Sequence, residues 1–406
     1  MNPSLSERSH PLLTIVLSSC AVFIVVGIIK APDEAFQASL QGLTIWWKIV
    51  FPALLPFLVL SEMMIAFGFA HGLGVCLEPL MRRLFGLPGI SGWVISLGMT
   101  AGYPAGAEAS VQLYRQGKLS PHEAEKLSSI AHLSNPMLLI VVIGTGFLHH
   151  PEMGILIAIV HWLSSAAAAI TISWLIRNND TSSTPLTQNE QKQHSSSSLS
   201  FMRKIFKAIH EAYLQDGRTF GKLLGDAVSR SVQTLMMTGG FMMIFAVIIK
   251  LLEQHLKVHF DGVFLKGFME VHLGSYAVST ETFVSPVFQI ALLSAFLGWS
   301  GLSAHLQVRA IMKPAGLKHT SFVITRLLHA MYAYIITLLL WKPLSSFMTL
   351  TLPAISDATS NKSVTLFTFL PHWYQFPILL GWQASVLFIL VMLSACVGIY
   401  HRINSR

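Results

Sequence analysis

Charge is what this chain has least of. Of its 406 residues only 11% are Asp, Glu, Lys or Arg, while 53% are hydrophobic. A soluble domain carries roughly 25% charged residues, so that class is excluded. Cysteine is sparse too: Cys20, Cys76 and Cys396 lie in or beside apolar segments at no metal-ligand spacing. They imply neither a disulfide framework nor a redox centre. No nucleotide-binding loop, zinc-ligand pair or nucleophile triad stands out, so no enzyme activity, cofactor or metal is expected. The net charge of +8 does not point to nucleic acid, because the basic residues sit between apolar spans. A bilayer partner with a positive-inside bias explains them.

What the chain does have is long apolar runs. Runs near 20 residues read as membrane spans, at about 12–29, 44–69, 122–148, 152–176, 228–252, 321–341 and 377–400. Residues 343–375 leave room for a further segment. Leu17-Ser18-Ser19-Cys20 resembles a lipoprotein cleavage box, but the apolar run continues past it to Ile29, as a spanning helix does.

Two further apolar stretches are each split by a glycine-rich tip. Ile90–Gln116 is broken at Gly98–Gly106, and Pro286–Met312 at Gly298–Ser303. Each half of roughly 10–12 helical residues rises about 15–18 Å, half of a hydrocarbon core. Both are expected to be re-entrant hairpins with tips meeting near the midplane from opposite faces, since non-helical backbone there must line protein or water. Paired interruptions in two halves point to a transporter's solute site.

The expected fold class is an all-α polytopic membrane protein with inverted repeats. Each repeat has a re-entrant hairpin and a broken or polar helix. Residues 1–41 form an N-terminal transmembrane helix and 42–176 the first repeat. The Ser/Thr/Gln/Asn-rich residues 177–200 are a flexible linker. Residues 201–227 read as an amphipathic interfacial helix, either lying on lipid or packed on protein, and 228–406 as the second repeat. The excess of Lys and Arg on the N-terminal side puts the N-terminus and linker in the cytoplasm.

Candidate binding groups cluster at the interruptions. Ser120-Pro121-His122-Glu123 is a capping box opening a helix, which Ser134-Asn135-Pro136 then breaks. Proline strips hydrogen bonds from carbonyls near Ala131–Leu133, which then need a donor, a cation or water. Thr100, Gly102, Tyr103 and Gly106 mark the first tip, and Ser300, Gly301, Ser303 and His305 the second. Free N–H groups at such tips favour anions. Arg326 and His329 share a helical face inside a span, and the arginine could hold a carboxylate bidentately. Glu62, also within a span, is a candidate for ion coupling.

Several motifs also resemble a known family. Trp46-Trp47, Pro52-x-Leu54-Leu55-Pro56-Phe57, Glu78-Pro79-Leu80-Met81, Leu87-Pro88-Gly89, Gly102-Tyr103-Pro104-x-Gly106-Ala107 and Ser134-Asn135-Pro136 resemble the sporulation integral membrane protein family called YlbJ or SpoVV. The region also resembles the nucleoside recognition, or Gate, signature of concentrative nucleoside transporters. The resemblance covers about residues 42–146. It implies a carrier of dipicolinic acid in the outer forespore membrane of endospore formers. Glu108 departs from the pattern, standing where many relatives are expected to have lysine. A small planar carboxylate or a nucleoside is thus the expected solute. A non-transporting structural role and a homo-oligomer both stay open at this point.

Overall fold

The computed structural model describes residues 11–177, 201–255, 262–281 and 285–351. The span expected at 377–400, nearly all of the 177–200 linker and most of 343–375 lie outside the described residues. Among the described residues every regular element is helical.

Helix α1 (Pro11–Lys30) leads into α2 (Pro32–Ile45), which passes through a π-turn at Trp46–Val50 into α3 (Phe51–Ala66). The span expected at 44–69 therefore starts earlier, because Pro32 opens the helix and Pro52 and Pro56 do not stop it. Helices α4 (Phe69–Leu84), α5 (Ser91–Ala101), α6 (Ala105–Arg115) and α7 (Pro121–Ile130) follow. A π-helical segment, Leu138–Phe147, and α8 (Pro151–Arg177) complete the first half. The second half holds α9 (Phe201–Asp216), α10 (Phe220–His255), α11 (Gly262–Met269) and α12 (Val271–Thr280). It ends with α13 (Pro286–Trp299), α14 (Gly301–Met312) and α15 (Thr320–Thr351). Five stretches are long and apolar enough to cross a membrane: 32–66, 151–175, 220–254, 286–315 and 320–343.

The first hairpin is where the sequence puts it. Ends of α5 and α6 come back to one face: the Phe85 carbonyl accepts from the Lys126 ammonium, and Leu87, Leu113 and Leu119 pack in one apolar cluster. At the tip, Gly98 and Gly106 both press on the Ala131 carbonyl, where a Cβ on either would collide. Glycine is what lets the hairpin wrap the broken helix that closely.

The second hairpin is not where the sequence puts it. In a hairpin the two halves pack on each other. Helices α13 and α14 instead lie end to end along α15. Gly298 abuts Ala330 and Phe288 meets Tyr334, while His305 of α14 meets His319 and Phe322 at the start of α15. Residues 286–312 thus form a crossing helix broken at Ser300, not a re-entrant piece. The hairpin of this half is α11–α12, an apolar pair that the sequence reading passed over. Gly274 packs against the backbone of Gly267, and the turn is made by Glu270, whose carboxylate accepts from Leu273 N at 2.7 Å. A side-chain cap opens α12 without glycine or proline.

The two hairpins open on opposite faces. The base of α11–α12 adjoins the end of α10, through Lys266 and Glu253 at 3.9 Å, and the start of α13, through Gln289 donating to Val278 O at 2.9 Å. The far end of the α13–α14 crossing lies with the first hairpin's base, where Lys318 N donates to Glu125 Oε1 at 2.8 Å. Each half therefore runs hairpin, broken crossing, long crossing, with inverted orientation: α5–α6, residues 121–147 and α8, then α11–α12, α13–α14 and α15. The span expected at 122–148 is likewise split. Its capping box is formed, and α7 ends at Ile130, ahead of Pro136.

Helix α9 packs on protein along part of its apolar stripe. Ile205 and Ile209 fit against Gly72 and Gly68 of α4, while Met202, Phe206 and Leu214 remain exposed. The helix stops at Asp216, not 227: Arg218 clamps Asp216 at 2.7 Å and Asp226 at 3.0 Å, turning the chain into α10.

Candidate functional site

Both hairpin tips and both helix breaks meet around one cavity of about 50 Å³. Gly102 and Tyr103 come from the first tip, Glu270 and His272 from the second, Asn135 from the first break and Ser303 from just past the second. Leu54 and Leu58 of α3 and Thr234 and Thr238 of α10 close the sides. That volume takes water but is too small for an organic molecule. An organic solute enters only if the tips part.

The first break is organised by its own side chains. Asn135 Oδ1 accepts from Leu138 N at 2.8 Å and so caps the second half of the crossing. Its Nδ2 is directed at Ala101 O, 3.5 Å away, on the hairpin tip. Ser134 N donates to His161 Nε2 at 3.1 Å. Tyr103 stacks on His132 with ring centroids 4.7 Å apart. The buried Tyr103 and Ser134 hydroxyls face each other, and neither has a hydrogen bond of normal length among the described residues. Buried hydroxyls left open in this way are costly.

The carbonyls freed by the break find a cation in Arg326. Its two terminal nitrogens donate to His132 O and Ser129 O, each at 2.8 Å. A third contact, Nη1 to His329 Nδ1 at 3.1 Å, fixes that ring so that His329 Nε2 donates to His161 O at 3.0 Å. Arg326 is 1% exposed, does not line the cavity, and gives both terminal nitrogens to the carbonyls at and just past the end of α7, while its buried Nε has no partner among the described residues. Where a contact with a solute carboxylate was expected, the arginine caps the broken helix of the other repeat.

Other expected site residues also stand back from the cavity. Thr100 Oγ1 bonds to Ser96 O at 2.9 Å within its own helix. Gly106 serves the contact with Ala131. Ser300 and Gly301 adopt left-handed backbone, φ 72 and 77, and Gly301 lies on the backbone of Glu270 and Val271. His305 accepts no solute face either: it stacks on Trp299 at 4.1 Å and bonds to its carbonyl at 3.1 Å. Glu62, half-buried, faces Arg230 at 3.8 Å, one helical turn from the lining residues Leu58 of α3 and Thr234 of α10.

Sequence reasoning missed Glu270 and set His272 aside, since a lone histidine in an apolar run is more often a packing residue than a ligand. Both are buried, and Glu270 Oε1 lies 2.8 Å from His272 Nδ1. An acid two residues from a histidine inside an apolar run was the available signal. Outside the cavity, a groove of about 390 Å³ runs between α6 and α14 on the first hairpin's face, lined by Glu108, Gln112, Arg115 and Pro314. Glu108, in the first turn of α6, therefore faces this groove and not the cavity.

Opposed hairpins, two discontinuous crossings and a cavity shared between them define an all-α polytopic membrane protein built on inverted repeats. The chain belongs to the YlbJ family: it is 37% identical over 351 residues to the sporulation integral membrane protein YlbJ of Bacillus subtilis (strain 168), covering 82% of this chain and 83% of that protein. No family model matches the chain, and no solved structure matches it.

Proposed function

We propose that the chain is a secondary transporter that carries dipicolinic acid across the outer forespore membrane during sporulation. One observation carries the reading. Two hairpin tips from opposite faces and two helix breaks converge on a single cavity, the arrangement in which rocking of one repeat exposes a fixed site alternately to each side. The tip of α5–α6 seals one side and the tip of α11–α12 the other. The solute is small and planar, held by Asn135, Ser303 and the Tyr103 hydroxyl, with apolar walls from Leu54 and Leu58. The linker and the first hairpin's base, with Arg82, Arg83, Arg115 and Lys118, face the cytoplasm by the positive-inside rule.

A nucleoside is the second reading, favoured by the cavity's hydroxyls and amides and by the absence of Arg, Lys or an unpaired cation from its lining among the described residues. Reconstituted protein offered labelled dipicolinate and labelled uridine side by side separates the two. Selective, saturable dipicolinate uptake supports the first reading. Uridine uptake alone replaces it with the second. No flux of either supports a structural role.

A further inference from the structure

We propose that Glu270 and His272 form the proton-carrying pair of this cavity, so that a carboxylate solute binds only together with a proton. The inference rests on the transport reading and deepens it. Glu270 is fixed at the second hairpin tip: one carboxylate oxygen accepts from Leu273 N at 2.7 Å and the other faces His272 Nδ1 at 2.8 Å. The pair is buried, 2% and 6% exposed, and both residues line the cavity. With Nδ1 held by the carboxylate, the edge of His272 left for a solute is Nε2.

The charge balance decides the chemistry. With neutral imidazole the pair carries the single negative charge of Glu270, which repels a carboxylate in a low-dielectric site. With imidazolium the pair is neutral overall, and Nε2–H becomes a charge-assisted donor for the solute. Among the described residues that line the cavity no other group supplies that charge, and Arg230, one turn from Thr234 on α10, faces Glu62 at 3.8 Å. From the first tip comes the phenol of Tyr103, from α10 Thr234 and Thr238, from α14 Ser303 and Gln307, and from α3 only leucines. Behind Tyr103 lie His132 and Arg326, and the arginine is committed to Ser129 O and His132 O. The proton enters from the side to which the cavity is open, rides on His272 while the carboxylate is bound, and leaves with it on the other side. Nothing is oxidised and no covalent bond is made.

The test uses full-length protein in liposomes with labelled dipicolinate and protein-free liposomes as the background. Exchange of labelled for unlabelled dipicolinate without a gradient examines transport alone, and its absence removes both readings together. If exchange occurs, an inward proton gradient of one pH unit should drive about tenfold accumulation when the membrane potential is clamped at zero, since the dianion and one proton together carry a net negative charge, and a protonophore should abolish it. His272→Gln should leave no accumulation, and any uptake that remains should ignore the gradient. Should that variant fail to show a cooperative melting transition, the wild-type gradient response decides. Wild-type exchange with no response to the proton gradient, or gradient-driven accumulation by folded His272→Gln protein, overturns the proposal and leaves transport standing.

Discussion

Arg326 reaches across 194 residues of sequence to donate a 2.8 Å hydrogen bond to the carbonyl of His132. That carbonyl is open because Pro136 ends α7 early, and the guanidinium of one repeat closes the broken helix of the other. Hydrogen bonds to charged groups contribute about 1.5–3 kcal/mol each, and an abandoned buried acceptor costs about as much as it loses. Arg326→Gln is therefore expected to destabilise the protein by ~3 kcal/mol or more. Uptake of dipicolinate and uridine should fall in parallel with folded protein, measured by melting in detergent and by flux per folded molecule. A selective loss of the dianion at unchanged stability would return Arg326 to the solute site.

Reassigning residues 286–312 to a crossing changes which face the next loop occupies. Lys318, exposed in the α14–α15 turn, now belongs with Arg115 and the linker, which also strengthens the basic bias of that face. In a background without the three native cysteines, Lys318→Cys and Ser195→Cys are expected to react with an impermeant thiol reagent from the same side. His150→Cys, between the π-segment and α8, should react from the other. If Lys318→Cys labels together with His150→Cys, the segment is a hairpin after all.

How much of this was legible depended on how each turn is made. The first hairpin announced itself because its tip needs glycine at Gly98 and Gly106 and a sharp Tyr103-Pro104 turn. The second is turned by a glutamate cap between helices of 8 and 10 residues, too short and too ordinary to read as membrane elements. At Ser300 the interruption was legible but its direction was not. A glycine-rich break looks the same whether the chain turns back or goes on, and what decides is packing against α15. Arg326 and the Pro136 break were each visible as an unsatisfied group. Their pairing is a tertiary fact, and so is the encounter of Glu270 with the first tip.

Ser300 is a non-glycine residue held at φ 72, and its buried hydroxyl lacks a partner among the described residues. Left-handed backbone costs an L-residue about 1–2 kcal/mol. Ser300→Gly is expected to raise stability by ~1 kcal/mol, seen as a higher melting temperature, while Ser300→Ala, which keeps the strain, should not. Strain retained at a helix break is a mark of function, so the stabilised variant should also transport more slowly. Equal melting temperatures for all three proteins would show that the break carries no strain.

Asn135 does two things at once, capping Leu138 N through Oδ1 and presenting its amide to the cavity beside Gly102. Loss of an N-cap costs typically ~1 kcal/mol, which a membrane protein of this size withstands. Asn135→Ala is therefore expected to reach the membrane in near-normal amount and yet to lose most of its transport, because a polar contact disappears where hydroxyls are already unpaired. Asn135→Ser keeps a capping oxygen and removes the amide, so it separates the two roles. If the cap alone matters, serine restores transport. If the amide touches the solute, serine restores the melting temperature but leaves uptake as low as in the alanine variant. Normal uptake by Asn135→Ala at wild-type abundance would place the solute elsewhere and leave the break at Pro136 a purely structural kink.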